Sequence, residues 1–256
     1  MKIRVKFSKQ GNMKFIGHLD VMRYFQKAIR RAGIDIAYTE GLSPHMIMSF
    51  ASPLGVGLTS DAEYMDIELR TPISSKEAID ALNRVGVEGI SVTGFYQIPE
   101  GKANKAMTLV AAADYLVRFR KGYEPEIAWQ SAVTDFYAQK SISVWKKTKK
   151  SEKEVDIRPL IYEMTCVDVH DIANDKDDSR KCAQSGEDTK AIFMKLASGS
   201  VANLKPELVM DTFLERLGIK PEPFAYKINR CELYANTGTE EDIRLVPLSD
   251  LGVDIL

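Results

Sequence analysis

The chain has 256 residues, of which 45% are hydrophobic and 28% are charged, and its formal net charge is −1 at pH 7. A chain of this size buries a sizeable core without covalent staples. Its cysteines, Cys166, Cys182 and Cys231, are widely spaced with no Cys-x-x-Cys pair, so the sequence indicates neither a disulfide framework nor an iron–sulfur or zinc site. The N-terminus alternates charged with apolar residues, and no run of about 18 apolar residues occurs, so we expect a cytoplasmic protein that is neither secreted nor membrane-spanning.

Residues 1–100 alternate strand and helix patterns. Residues 2–9 alternate apolar with basic side chains, which predicts a half-buried strand with Arg4 on its polar side. Apolar residues at helical spacing predict a helix over 19–32 that ends at Gly33. The further predicted elements are strands in 34–39, 46–50 and 63–70, a helix in 74–85 with a serine cap and Glu77 nearby, and a strand in 88–98. This βαββαβ order is typical of a ferredoxin-like domain.

The second half repeats the order with additions. The predicted elements are a strand in 114–120, a helix in 123–139 with Ile127, Ala128, Ala132 and Phe136 inward, strands in 141–148, 153–169 and 191–197, a helix in 205–218 and a strand in 224–234. A polar loop at 170–190 holds four aspartates within residues 171–178, and we interpret it as a solvated acidic loop because its spacing matches no calcium loop. We therefore predict an α+β protein of two tandem ferredoxin-like domains, at 1–100 and 113–256, joined by a linker at 101–112, with the second domain elaborated.

Charge is unevenly distributed along the chain. Residues 1–50 contain nine Lys or Arg against three Asp or Glu, and residues 101–150 contain ten against four, whereas the remaining stretches are acidic. If the two basic segments share a face, that face attracts polyanions although the whole molecule does not.

The predicted first helix has a basic face and an apolar face. Four basic side chains stand at i, i+4, i+7 and i+8, while the apolar residues turn inward. The basic residues are Arg23, Lys27, Arg30 and Arg31, and the apolar ones are Met22, Phe25, Ile29 and Ala32. A solvated helix face explains this pattern, but unpaired positive charges within three turns repel one another, and a polyanion would relieve that repulsion.

Two histidines lie in the first half of the chain, one at a helix entry and one after a turn. His18 lies at the helix entry beside Asp20, an acid whose first role there is to stabilise the helix dipole. His45 follows the turn that contains Ser43. Three roles are open for His18: it packs in the strand-to-helix corner, it contacts a phosphate, or it serves as a general base. A binding corner shared by His18 and His45 is a further hypothesis.

A lysine-rich hairpin is predicted in the second half. Trp145 is followed by Lys146 and Lys147, with Lys149, Lys150 and Lys153 further along. Lysines on backbone phosphates and a base stacked on Trp145 would form a single-strand RNA contact, and a merely soluble hairpin tip has the same composition. Asp156 and Arg158, two residues apart, are interpreted as a structural pair. Enzyme motifs for nucleotides, zinc peptidases and serine hydrolases are absent, and we predict neither a metal nor a cofactor.

Several strings of the chain together resemble one bacterial family. They are Phe15 with Gly17-His18-Leu19-Asp20, then Arg30-Arg31-Ala32-Gly33, Gly41-x-Ser43-Pro44-His45, Pro53-Leu54-Gly55 and Ala62-Glu63-Tyr64, with 155–161 and 204–210 as later landmarks. This set resembles the radical SAM-linked protein family, a bacterial domain of unknown function. Members are fused to, or encoded beside, a radical SAM protein with a cobalamin-binding-type domain, so the resemblance implies such a partner protein.

The leading hypothesis is an accessory RNA-binding module that acts with a radical SAM partner on an RNA or ribosome-related substrate. Its binding residues would be His18, Arg23, Lys27, Arg30, Arg31, Ser43, His45, Trp145, Lys146 and Lys147. One alternative is a metal-independent endoribonuclease with His18 as general base, which rests on an analogy with tandem ferredoxin-like CRISPR-repeat endoribonucleases. The other is a structural partner subunit without RNA binding, and whether the chain is an enzyme is left open.

Overall fold

The computed structural model describes residues 1–101, 104–147, 152–169, 190–239 and 242–256. The strands are β1 (Lys2–Lys9), β2 (Met48–Phe50), β3 (Thr59–Glu68), β4 (Ile90–Gln97), β5 (Val110–Phe119), β6 (Ser143–Lys147), β7 (Glu152–Asp156), β8 (Ile161–Asp168), β9 (Lys190–Ala197), β10 (Tyr226–Asn236), β11 (Leu245–Pro247) and β12 (Val253–Asp254). The helices are α1 (His18–Arg31), α2 (Ser75–Arg84), α3 (Ala106–Leu109), α4 (Trp129–Tyr137) and α5 (Pro206–Arg216), with 3-10 turns at Gly11–Phe15, Arg158–Leu160 and Leu248–Leu251. The fold is therefore α+β, with mainly antiparallel strands and few helices.

The chain divides into two compact units. One unit contains Met1–Ala111 together with Glu232–Leu256, and the other contains Ala112–Cys231. This division differs from the predicted domain at 113–256, because the segment from Glu232 onward is grouped with the first unit. The predicted acidic loop lies outside the described residues except for Lys190.

The first unit is built on antiparallel strands in the order β12-β4-β1-β3. The short strand β2 also pairs with β3. The inward residues of β1, Ile3, Val5 and Phe7, are fully buried with the apolar faces of α1 and α2. Arg4 is buried too, at 1% exposure, although the alternation predicted it on the polar side. Asp66 on β3 pairs with its guanidinium and makes that burial possible.

The predicted strands at 34–39 and 46–50 are mostly not regular strands. Only Met48–Phe50 forms a strand, and the rest of these segments is held by isolated bridges between Ile36 and Leu69 and between Tyr38 and Met46. By contrast, α2 begins where the capping residues predicted it. The Ser74 hydroxyl oxygen accepts from the Glu77 backbone N–H at 3.3 Å, so the serine cap is confirmed.

In the second unit β9 pairs antiparallel with β5 and with β8, and β10, of which Tyr226–Cys231 belongs to this unit, is the other neighbour of β5. The strands β6 and β7 form a separate antiparallel hairpin. The helix predicted at 123–139 is shorter in the structure, where α4 runs only from Trp129 to Tyr137. Of its predicted inward residues, Phe136 is buried as expected, but Ile127 is 47% exposed and Ala128 is exposed. Trp129 and Val133 are the other buried residues of α4. The large aromatic rings explain which face of α4 is buried, because the Trp129 ring packs edge-on against the Phe119 ring with centroids 5.2 Å apart. No helix in the described part of the chain is long and apolar enough to cross a membrane.

Candidate nucleic-acid interface

The helix α1 carries one exposed basic surface. Its inward residues, Val21, Phe25, Ala28 and Ile29, are buried, and this fixes the orientation of the helix. The side chains that remain exposed include Arg23, Lys27, Arg30 and Arg31, which we call the basic stripe. All four sequence-predicted basic residues are therefore on the solvent side of α1, spread over its length.

Little within the described residues neutralises this stripe. Arg23 lies 3.4 Å from Asp20, but both side chains are more than half exposed, and exposed pairs of this kind are worth at most about 1 kcal/mol. No ion pair in the described part of the chain involves Lys27 or Arg30. The stripe keeps most of its positive charge available to solvent.

Two exposed apolar side chains extend the stripe toward the N-terminal end of α1. Phe15 is 64% exposed and Leu19 is 59% exposed, and the Lys14 ammonium lies 5.0 Å from the centre of the Phe15 ring. The sequence placed these two residues in the strings that resemble a family but did not assign them to a binding site. The available signal was spacing, because Leu19, Arg23 and Lys27 follow one another at four-residue steps along one helix face.

His18 is the first residue of α1 and is half-buried. Its ring packs edge-on against Phe50, with centroids 5.0 Å apart. It lines a small cavity of about 10 Å³ together with Lys9 and Glu63, two nearly buried residues that the sequence reasoning did not assign to a site. The Lys9 ammonium donates to the Ile16 carbonyl at 3.0 Å. A cavity of this size has room for about one water molecule.

His45 lies in a different cavity from His18. Its ring Nδ1 is 3.1 Å from the Thr39 hydroxyl, and its backbone N–H donates to the same oxygen at 3.1 Å. Ser43 is exposed, and its carbonyl lies 3.4 Å from that ring nitrogen. The cavity that His45 borders measures about 360 Å³ and is not lined by His18. The structure therefore gives each histidine its own surroundings.

The hairpin of β6 and β7 presents Trp145 to solvent. This side chain is 68% exposed and stands opposite Glu154 in the ladder. Along the same ladder the backbones of Lys146 and Lys147 pair with Lys153 and Glu152. The predicted Lys149 and Lys150 lie outside the described residues.

Asp156 and Arg158 fasten the base of this hairpin. The Asp156 carboxylate accepts from the backbone N–H groups of Ile142 at 2.8 Å and Arg158 at 2.9 Å, and these bonds hold the pKa of the carboxyl below its usual value. The Arg158 guanidinium lies 4.1 Å from the centre of the Tyr137 ring and donates to the Tyr137 carbonyl at 2.8 Å. Both side chains therefore have structural partners, but among the described residues no ion pair joins the two side chains to each other.

Within the described residues, nowhere do three or more His, Cys, Asp or Glu side chains gather in a way that could hold a metal ion. Cys166 and Cys231 are free thiols, and Cys182 lies outside the described residues.

Comparison with known proteins gives a family and little else. No curated protein matches the chain. A chain in the solved structure described as "Crystal Structure of a Cbf5-Nop10-Gar1 Complex" is similar at 10% sequence identity with a TM-score of 0.44, over 90% of this chain and 48% of that one. The present chain thus spans about half the length of that structural relative. Residues 2–206 match the family model described as "Uncharacterized protein conserved in bacteria (DUF2344)", and the chain therefore belongs to this family.

Proposed function

We propose that the chain is an accessory module that binds single-stranded RNA through the basic stripe. The observation that carries this proposal is the exposure of Arg23, Lys27, Arg30 and Arg31 on one helix whose opposite face is anchored in the core. A rigid helix holds four positive charges in fixed positions, and phosphates that bind there relieve the mutual repulsion of these charges.

The exposed apolar residues favour a single strand over a duplex. Unpaired bases stack on aromatic rings, and Phe15 offers one face to solvent next to the start of the stripe. A closed duplex hides its base faces and would leave Phe15 and Leu19 without a partner. We therefore propose that phosphates contact the stripe while a base contacts Phe15.

The test uses two double variants with the same change in charge. Lys27→Glu with Arg30→Glu reverses two charges of the stripe, and neither residue takes part in an ion pair among the described residues. Lys76→Glu with Arg84→Glu makes the same change on α2, where both residues are exposed. Anisotropy of a labelled single-stranded RNA measures affinity over a range of salt concentrations.

The stripe variant should bind the RNA about tenfold more weakly or worse, and the slope of log affinity against log salt should become shallower by roughly 0.7 for each lost phosphate contact. The α2 variant should bind like the wild type apart from a small general charge effect. Equal losses in the two variants, or an affinity that does not respond to salt, would contradict the proposal.

The resemblance and the topology support two further parts of the proposal. We propose a radical SAM protein as the partner, and co-purification of the two proteins at low salt tests it; a partner that elutes separately would count against it. We also propose ferredoxin-like units, because β4-β1-β3-β2 in the first unit and β10-β5-β9-β8 in the second follow the strand order that two crossover helices produce.

The ribonuclease alternative has less support. The small cavity beside His18 is too narrow for a phosphodiester, and the ring packs against Phe50. Its test is simple: RNA cleavage that survives His18→Ala cannot depend on that imidazole as the base.

A further inference from the structure

The cavity beside His45 has the dimensions of a small-molecule site. Its volume of about 360 Å³ falls within the range of roughly 300–1,000 Å³ that such sites occupy. It lies in the first unit, where residues of β2 and β3 face the chain segments on either side of residues 102–103. None of the basic-stripe residues lines it.

The inner surface of this cavity is apolar. Met46 and Ile98 line it but are each only 4% exposed, so the half-buried Ile47 and Met48 supply further accessible apolar surface. Methionine side chains are flexible and polarisable, so they adapt to ligands of different shape. An apolar molecular body of moderate size therefore fits the inner surface.

One wall of the cavity is held rigidly before any ligand arrives. The Arg4 guanidinium makes two hydrogen bonds to the Asp66 carboxylate, at 2.9 and 3.2 Å, and donates to the Asn104 carbonyl at 2.7 Å. The backbone N–H of Ala106 donates to Asp66 Oδ2 at 2.6 Å. A preorganised wall lowers the entropy that a ligand loses on binding.

The charges around the cavity are partly committed and partly available. The Asp66 carboxylate is occupied by Arg4 and Ala106, and the Lys2 ammonium lies 3.3 Å from Glu100. Among the described residues, the side chains of Glu68 and Lys105 make no hydrogen bond or ion pair, although both line the cavity. One negatively charged hydrogen-bond acceptor, Glu68, and one positively charged hydrogen-bond donor, Lys105, thus line the same cavity.

We infer that the cavity binds a small zwitterion with an apolar body, of the class of free apolar α-amino acids. The ammonium group of the ligand pairs with Glu68, its carboxylate pairs with Lys105, and its side chain lies on Met46, Met48 and Ile98. Each pairing is a charge-assisted hydrogen bond, and such bonds carry more binding energy than neutral ones.

The experiment measures binding of three probes by isothermal titration calorimetry. L-tryptophan carries both charges, N-acetyl-L-tryptophan lacks the positive charge, and L-tryptophanamide lacks the negative one. Wild-type protein should bind L-tryptophan about tenfold more tightly than either analogue, since each analogue loses one charge-assisted hydrogen bond.

Two substitutions test the two charges separately. Glu68→Gln should abolish the preference for L-tryptophan over N-acetyl-L-tryptophan and keep the preference over the amide. Lys105→Gln should give the reverse pattern. The matched controls, Glu88→Gln and Lys76→Gln, change exposed residues of the same unit that do not line the cavity and should leave all three affinities unchanged.

Three results would overturn the inference. They are the absence of saturable L-tryptophan binding by the wild type, equal affinity for the three probes, and preferences that survive both Glu68→Gln and Lys105→Gln. Because these residues lie outside the basic stripe, the outcome is independent of the RNA measurements.

Discussion

Arg4 shows what the residue scale adds to a sequence pattern. Alternation in β1 predicted this residue on the polar side, with Lys2 and Lys6, and the polar side of a strand is usually solvated. In the structure Arg4 is 1% exposed, because Asp66, 62 positions further along the chain, accepts two of its hydrogen bonds and Leu248 accepts another at 3.2 Å. Periodicity identifies the face of a strand, but it does not tell what covers that face.

Tyr64 and Glu232 form a second arrangement of this kind. The Tyr64 hydroxyl donates to the Glu232 carboxylate at 2.6 Å, and the Lys6 ammonium lies 2.6 Å from the other carboxylate oxygen. Burial, followed by the nearby Glu232 charge, raises the pKa of Tyr64 far above its usual value, so its hydroxyl stays protonated. Partners so distant in sequence leave no local signal.

Replacing Arg4 tests this buried pairing. Arg4→Met replaces the charged side chain by an apolar one of similar length and leaves the Asp66 carboxylate with fewer hydrogen-bond donors. We therefore expect the free energy of unfolding to fall by about 3–5 kcal/mol. Urea denaturation at neutral pH measures the change. Asp20→Asn is the control, because it removes an exposed pair and should change the stability by at most about 1 kcal/mol. A loss for Arg4→Met as small as that of the control would show that the buried pair contributes little.

At the scale of elements, helix bounds were predicted best where the hydrophobic periodicity and the end signals agreed. The predicted helix at 19–32 matches α1 at His18–Arg31, and Gly33 adopts a positive φ of 71° directly after the cap residue. The helix at 123–139 lacked such a start signal, and α4 begins only where Trp129 can be buried. The strand predicted at 153–169 is interrupted at Arg158–Leu160, where Pro159 cannot donate a backbone hydrogen bond. The C-terminal strands β11 and β12 were not predicted, because each is at most three residues long.

The Asp156 carboxylate makes the hairpin of β6 and β7 sensitive to pH. Its folded-state pKa lies below the usual 3.8, chiefly because the backbone N–H groups of Ile142 and Arg158 bond to the charged form. A lowered folded-state pKa contributes stability that is fully present above the unfolded value and is lost as the pH falls through the folded one. Asp156→Asn should therefore destabilise the protein at neutral pH, and its difference from the wild type should shrink below about pH 4.

Thermal unfolding of wild type and Asp156→Asn, followed from neutral pH down to about pH 3, measures this difference. Asp135→Asn removes an exposed carboxylate of α4 and is the matched control. A wild-type advantage that stays constant or grows as the pH falls would contradict the assigned role of the Asp156 carboxylate.

For the whole molecule, the net charge gives little information about binding. The total of −1 conceals the basic residues of the first fifty or so positions, and the structure places four of them on the outer side of α1. The sequence predicted this stripe because helical spacing is a local property. It did not reveal the cavity beside His45, because Lys2, Glu68 and Lys105 meet there only after β1 and β3 have paired.

Whether the second unit also contacts RNA can be read from tryptophan fluorescence. The chain has two tryptophans, and Trp145 is 68% exposed whereas Trp129 is 4% exposed, so a quencher that stacks on the surface should reach only Trp145. Adding a single-stranded oligouridine should therefore quench part of the tryptophan emission.

Trp145→Phe should abolish the quenching but keep the affinity for RNA, because the phenyl ring still stacks on a base, and Trp145→Ala should weaken binding by about 1–3 kcal/mol. If the quenching persists in Trp145→Phe, or if Trp145→Ala binds like the wild type, the exposed indole is not part of the RNA-binding surface and the basic stripe alone must account for the affinity.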